Sequence, residues 1–458
     1  MTPRELAPRE SEIAVIGLAR SGRAVATLLR KHGYNVYASD LASSPDTGRI
    51  AEELRAQGII VDVGRHDLDR LGRAGLVVTS PGVPPSARPL AFARDHGIQV
   101  VSEVEVALNF LVGPRLIAIT GTNGKTTTTA LIAHLLRGID LEAVEAGNIG
   151  TPLSEIAARE RQPKWISLEM SSFQLHDTPS LKPDVGVLTN LSPDHLDRYA
   201  TVDAYFDDKA RLFANATADS VWVINGDDRI AERMAGDVAG EKFAFSLVNE
   251  APGYFDSRTN QLTVLGTPLL DRSDLPLLGV HNVANALAAS LAVMVADRAH
   301  QTQQSRKGIA AALRTFRSLP HRLELVGEFG GVQWINDSKA TNVSSAAVAI
   351  DGMERPTVLL LGGRHKGEAY TPLAELVKKK VKRVIAYGEA APLIATDLRP
   401  VVDVVRLGSD FDEVIRAARA AARAGEAILL SPACSSYDMF SNYEERGERF
   451  RALAAKEA

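Results

Sequence analysis

Short β-branched and aliphatic runs alternate with Ala- and Leu-rich stretches from one end of the chain to the other. That alternation predicts βαβ units and parallel sheets, an α/β fold. A first region has expected strands at 12–17, 35–39, 76–79 and 99–102. A second has them at 116–120, 165–168, 185–188 and 221–224, and a third at 332–335, 357–361, 383–387 and 427–430. Gly113-Pro114 and Ser318-Leu319-Pro320 serve as joints, the latter because a residue before proline is pushed out of the helical region. The expected domains are therefore 1–113, 114–319 and 320–458. No fixed-period repeat or low-complexity block interrupts the pattern.

Composition agrees with this division. The chain has 458 residues, and roughly 150 residues per domain gives about three domains. Apolar residues make up 45% and charged residues 24%, which excludes a largely disordered protein. Lys plus Arg number 52 and Asp plus Glu 56, a formal charge of −4. That balance argues against a protein built to coat nucleic acid or an anionic membrane. Cys434 is the single cysteine, which excludes an internal disulfide and fits a reducing compartment. The apolar run at 13–16 is too short for a signal-peptide core, and no run approaches the roughly 20 residues of a membrane helix. The expectation is a soluble cytoplasmic protein without stable membrane insertion and without a nucleic-acid partner.

The first candidate chemistry follows the strand at 116–120. Gly121-Thr122-Asn123-Gly124-Lys125-Thr126-Thr127 leads into a helical stretch with apolar spacing at Leu131, Ile132, Leu135 and Leu136. Strand, glycine loop and helix N-terminus together form a phosphate cradle. Lys125 supplies a charge for terminal phosphates and Thr126 a hydroxyl for Mg²⁺. Ile119 stands where the usual loop has its first glycine, so the loop is a shortened variant.

Three further residues sit where chemistry is expected. Glu169 ends an apolar strand, and is either a Mg²⁺ ligand or an exposed strand-end acid. His195, in the loop after 185–188, either binds a metal or transition-state charge or is structural. Lys209 shares a helical face with Tyr205, Leu212 and Phe213. It either snorkels or is buried, with a lowered pKa. A neutral amine can add CO₂ to give an anionic carbamate.

Gly17-Leu18-Ala19-Arg20-Ser21-Gly22 follows the first strand and resembles a dinucleotide fingerprint in which Ala19 replaces the middle glycine. That change opposes a snug NAD site but suits a diphosphate-sugar nucleotide. Asp40 stands where a ribose-binding acid is expected. A second loop around Gly82 leaves the third strand at the same edge. A turn serving only packing fits this loop equally well.

Taken in order, segments 121–127, 147–150, 168–175, 194–198, 279–285, 319–322, 336–342, 360–363 and 431–436 resemble the Mur ligase family. These are ATP-dependent amide-forming ligases of peptidoglycan precursor synthesis, and the resemblance is to the branch that adds D-glutamate to UDP-N-acetylmuramoyl-L-alanine. It implies a Rossmann-like first domain for the UDP-sugar, a P-loop ATPase-like central sheet and a Rossmann-like third domain for the amino acid. It also implies an acyl-phosphate mechanism, two Mg²⁺ ions, a carbamate on Lys209 and a monomer. By the same resemblance Lys125, Glu169, His195 and Lys209 are catalytic, and Thr126, Glu169, His195 and Lys209 hold metal. ATP is assigned to 121–127 with Asn282, Asn285, Arg322, Asp337 and Lys339. The UDP-sugar is assigned to Arg20, Ser21, Asp40, Gly82, Asn148 and Ser171, and D-glutamate to Thr341, Lys366, Ser436 and Tyr443. ATP residues drawn from two regions imply closure before chemistry.

Read by themselves, Asn282 and Asn285 fit a helix start, Asp337 and Ser338 a helix cap, and Lys366 a solvated loop. Tyr443 stands where relatives often have Phe, and Ala42 where some carry an Arg near the uracil. The Asp-Asn-Pro-Arg motif of the diaminopimelate-adding relatives is absent. Cys434 lies beside the implied D-glutamate pocket, either as a reactive handle or as a buried thiol.

Overall fold

The computed structural model describes residues 6–8, 10–194 and 198–456, and every count below refers to these. His195 lies outside them. The fold is α/β, with three parallel-rich sheets, one in each of three domains. The first sheet holds β1 (Glu12–Ile16), β2 (Asn35–Asp40), β3 (Ile60–Val63), β4 (Leu76–Thr79) and β5 (Val100–Ser102). Its order is β3-β2-β1-β4-β5, parallel throughout.

The second sheet contains β6 (Arg115–Thr120), β7 (Ala143–Gly147), β8 (Trp165–Glu169), β9 (Val185–Leu188) and β10 (Val221–Asn225). It continues with β11 (Glu241–Ser246), β12 (Gly253–Asp256), β13 (Gln261–Val264) and β14 (Thr267–Asp271). The order is β14-β13-β12-β11-β10-β9-β6-β8-β7, and only β13 and β14 join antiparallel. The third sheet is built from β15 (Glu324–Phe329), β16 (Val332–Asn336), β17 (Thr357–Gly362), β18 (Val381–Tyr387), β19 (Asp403–Arg406) and β20 (Ala427–Leu430). Its order is β15-β16-β20-β17-β18-β19, with β15 antiparallel at one edge.

The twelve expected strands all form. The pattern missed β3, β7, β11–β15 and β19. Most of these lie toward sheet edges and carry charged or glycine positions, so they lack the continuous apolar run of a central parallel strand.

The first two sheets belong to one compact unit, 1–272 with 284–313, and the third to another, 273–283 with 314–458. Within the first unit, one apolar core runs from Val15, Leu28 and Phe110 into Leu116, Leu168 and Trp222. Polar ties reinforce it: Ser102 Oγ and Thr178 Oγ1 are 2.6 Å apart, and the Arg94 guanidinium reaches Asp177 at 3.2 Å. In the second unit, apolar residues cover both faces of the sheet. No helix among the described residues is long and apolar enough to cross a membrane.

Candidate active site

β6 ends at Thr120, and the chain turns through 121–124 into the helix Lys125–Arg137. Two of these positions require glycine. Gly121 has φ 144° and Gly124 φ 80°. A Cβ on Gly121 would strike Thr189 Oγ1, and one on Gly124 would strike Asn285 Oδ1.

The segment after β9 braces this loop. Thr122 N donates to Asn190 O at 2.8 Å and Asn123 N to Asn190 Oδ1 at 2.9 Å. Thr189 Oγ1 donates to Asn123 O at 2.6 Å. Lys125 Nζ folds back onto Thr122 O at 2.7 Å. The result is a fixed anion cradle at a helix N-terminus, with an ammonium at its lip.

Lys209 reaches the same loop from another helix. It comes from the helix Val202–Ala210, is 1% exposed, and donates to Gly121 O at 2.7 Å. Burial, then the neighbouring Lys125 charge, hold its amine well below the ordinary lysine value. Lys209 therefore does not snorkel. Tyr205 lies under its ammonium, ring centroid 4.7 Å away, with the phenol 3.3 Å from Thr122 Oγ1.

Glu169 ends β8, next to β6, and is 2% exposed. Its Oε1 accepts from Asn148 Nδ2 at 2.8 Å, and its carbonyl accepts from Asn148 N at 3.0 Å. Its Oε2 is buried and finds no hydrogen-bond partner among the described residues. A buried carboxylate oxygen left unpaired is costly unless a cation meets it. Mg²⁺ takes oxygen donors and commonly one or two carboxylates, so Glu169 and the buried hydroxyl residue Thr126 suit that ion. Among the described residues no three His, Cys, Asp or Glu side chains converge.

In the second unit, β16, β20 and β17 are neighbours, and their C-terminal ends carry the expected residues. Asp337 is buried, accepts from Ser431 Oγ at 2.8 Å and from Leu323 N at 3.2 Å, and is pushed up to about 7 by burial. It caps no helix; Asn342 caps Val343–Asp351 instead. Lys339 Nζ sits 3.8 Å from the Tyr443 ring centroid, and the Tyr443 carbonyl accepts from Ser338 Oγ at 2.8 Å. Arg364 N donates to Ser435 O at 2.9 Å, tying the loop of exposed Lys366 to that of buried Ser436. Arg446, fully buried, donates to Ser338 Oγ, Ser338 O and Cys434 O. Cys434 is buried, its thiol pushed up to about 11 by burial, which makes it an inert thiol. Asn282 donates to Leu278 O at 2.7 Å. In the first unit Asn285 Oδ1 accepts from Thr128 Oγ1 at 3.2 Å.

Three Mur ligase domain descriptions match this sequence: the MurD-like N-terminal domain over 11–102, the middle domain over 119–293, and the glutamate ligase domain over 321–434. The UDP-N-acetylmuramoylalanine–D-glutamate ligase of Acidobacterium capsulatum is 40% identical over 451 residues, 96% of this chain and 95% of that one. The protein of the same name from Geotalea daltonii is 39% identical over 446 residues, 96% of each. The chain belongs to the Mur ligase family. Solved structures share its fold. A pseudomurein peptide ligase type C from Methanothermus fervidus aligns with TM-score 0.60 at 20% identity, covering 98% of this chain and 100% of that one. UDP-N-acetylmuramate-alanine ligase from Thermotoga maritima aligns at 0.61 and 18%, with the same coverage.

In this Mur ligase a cavity of about 1200 Å³ opens over the C-terminal edge of the first sheet, and Gly17, Asp40 and Gly82 line it. Asp40 spends its carboxylate on backbone, accepting from Leu18 N at 2.7 Å and Ala42 N at 2.8 Å. Arg20 reaches Gly150 O at 2.7 Å, and Ser21 follows it in the first turn of the helix Arg20–Lys31. Ser171 caps the helix Ser172–His176 through a reciprocal box with Gln174. Sequence reasoning missed His66, Arg65 and Arg88 on the cavity wall. His66 Nδ1 is 2.9 Å from Ser39 Oγ. It also missed Asn190 and Thr189, which carry no local signature of contact with the glycine loop.

Proposed function

We propose that this Mur ligase joins D-glutamate to UDP-N-acetylmuramoyl-L-alanine. ATP phosphorylates the substrate carboxylate, giving an acyl phosphate and ADP. The amine of D-glutamate attacks the carbonyl carbon, and the tetrahedral adduct expels phosphate to leave the amide. Such chemistry needs charge neutralisation on the phosphates and fixed placement of both carboxylates.

One observation supports this best: Lys209 is buried on the carbonyl of Gly121, within electrostatic reach of both Lys125 and Glu169. In this reading the amides of 121–127 and Lys125 hold the triphosphate. Asn282, Asn285, Arg322, Asp337 and Lys339 take the rest of ATP. Arg20, Ser21, Asp40, Gly82, Asn148 and Ser171 hold the UDP-sugar, and Thr341, Lys366, Ser436 and Tyr443 hold D-glutamate. Region 1–113 thus serves the UDP-sugar, 114–319 ATP and 320–458 the amino acid. Thr126, Glu169, His195 and Lys209 would hold Mg²⁺, two ions in this reading, which would supply positive charge to the phosphates. The depressed amine pKa of Lys209 supports a carbamate there, because a neutral amine is the form that adds CO₂. The enzyme acts as a cytoplasmic monomer.

The test is phosphate release from ATP with UDP-N-acetylmuramoyl-L-alanine and a panel of amino acids. Release is expected with D-glutamate alone. Equal turnover with L-alanine or a diamino acid overturns the specificity, and no turnover with any of them overturns the activity.

A further inference from the structure

The helix that delivers Lys209 has an unusual means of attachment. Its buried residues are Tyr205, Asp208 and Lys209, so two of the three are ionisable. Tyr205 and part-buried Phe206, which packs against the apolar core, seat one side of the helix, as an apolar face ordinarily seats a surface helix. Asp208, 8% exposed, faces the helix Ser172–His176. Its Oδ1 accepts from His176 Nδ1 at 2.7 Å and from Arg211 Nε at 3.1 Å, and its Oδ2 accepts from Tyr199 OH at 3.0 Å. The far side is anchored too. Asp177, next to His176, receives both contacts of the Arg94 guanidinium at 3.2 Å. Tyr199 stacks on Phe173, ring centroids 5.3 Å apart, and meets Tyr205 edge-on at 5.3 Å.

We propose that His176 and Asp208 form a clamp that sets the rotation of the helix Val202–Ala210 and so holds Lys209 on the glycine loop. They are positioning residues, and the inference rests on the reading of Lys209 as part of the site. The geometry supplies the lever. Consecutive helical residues point about 100° apart, so Asp208 can face one helix while Lys209 faces Gly121. With side-chain tips about 5–6 Å from a helix axis, a rotation of roughly 10° moves a tip by about 1 Å. Misplacement on that scale can cost about 10²-fold in rate. The shared hydrogen bond favours the charged form of both partners: it raises the His176 pKa, and at Asp208 it outweighs, with Tyr199 and Arg211, the upward push of burial.

The test compares phosphate release by the full-length enzyme and by His176→Ala, Asp208→Ala, the double variant, Asp208→Asn and Lys209→Ala. His176 is half-buried, and circular dichroism checks that its alanine variant keeps the fold. His176→Ala and Asp208→Ala should each lower kcat about tenfold while KM for D-glutamate stays within about twofold. The double variant should lose no more than the worse single one, because one contact is removed in all three. Asp208→Asn keeps an acceptor for His176 and should recover to within about threefold of the parent. Losses that multiply in the double variant overturn the clamp, as does a fall in melting temperature with kcat unchanged. Loss in Lys209→Ala with the clamp variants at parental kcat overturns the clamp alone. Full activity of Lys209→Ala overturns the reading of Lys209, and the clamp's purpose with it.

Discussion

Lys209 donates from Nζ to the carbonyl of Gly121 at 2.7 Å, across 88 positions of sequence. The contact places a desolvated amine beside Lys125, and burial with that neighbouring charge favours the neutral form, the one that adds CO₂. Lys209→Ala is therefore expected to lower kcat by at least about 10²-fold. Added short carboxylates should restore part of the activity by supplying the anionic group of a carbamate. Undiminished turnover in the unrescued variant would refute the metal role.

Asn148 is assigned to the UDP-sugar, yet its amide also fixes Glu169 Oε1 at 2.8 Å. Groups that orient a metal ligand typically matter by about 10–100-fold in metal affinity. Asn148→Ala is expected to raise the Mg²⁺ concentration for half-maximal activity by about tenfold. Magnesium titration at saturating UDP-sugar checks this, and an unchanged midpoint would confine Asn148 to substrate contact.

Gly121→Ala puts a methyl group against Thr189 Oγ1 at φ 144°. The brace from Thr189 to Asn123 must then yield, and with it the phosphate cradle. The expected result is a folded protein, by circular dichroism, whose KM for ATP rises at least about tenfold. Parental ATP kinetics would show that the loop adapts.

Glu103 is buried at the join of the first two sheets, accepts from Ser154 N at 2.6 Å, and leaves Oε2 without a partner among the described residues. Burial raises its carboxyl from 4.5 to about 7. Between those values the folded chain binds the proton more tightly than the unfolded chain, so Glu103 makes stability fall as pH rises. Glu103→Gln removes that slope, and should unfold at a higher temperature than the parent at pH 8, with a smaller difference near pH 5. Equal pH slopes by calorimetry would show that Glu103 does not titrate in this window.

Some of this molecule is written locally. The strand at 116–120, the glycines at 121 and 124 and the apolar helix beyond them are short-range patterns, and the structure has that strand, turn and helix. The central strands were legible because full burial demands continuous apolar runs. The antiparallel β13–β14 extension was not, because a partly exposed edge relaxes that demand.

Residue types at strand ends located much of the candidate site, but their states required the fold. Sequence left Lys209 free to snorkel, and only packing against Gly121, Tyr205 and Lys125 decides that it is desolvated. The brace of Asn190 on Asn123, the hold of Asn148 on Glu169 and the pairing of His176 with Asp208 are likewise tertiary. Periodicity is fixed by the backbone within a few residues, whereas these contacts join atoms 21 to 67 positions apart. The sequence by itself determined which elements form and which loops carry phosphate chemistry. The tertiary structure alone decided which polar groups lose their water, because desolvation depends on everything that packs around a group.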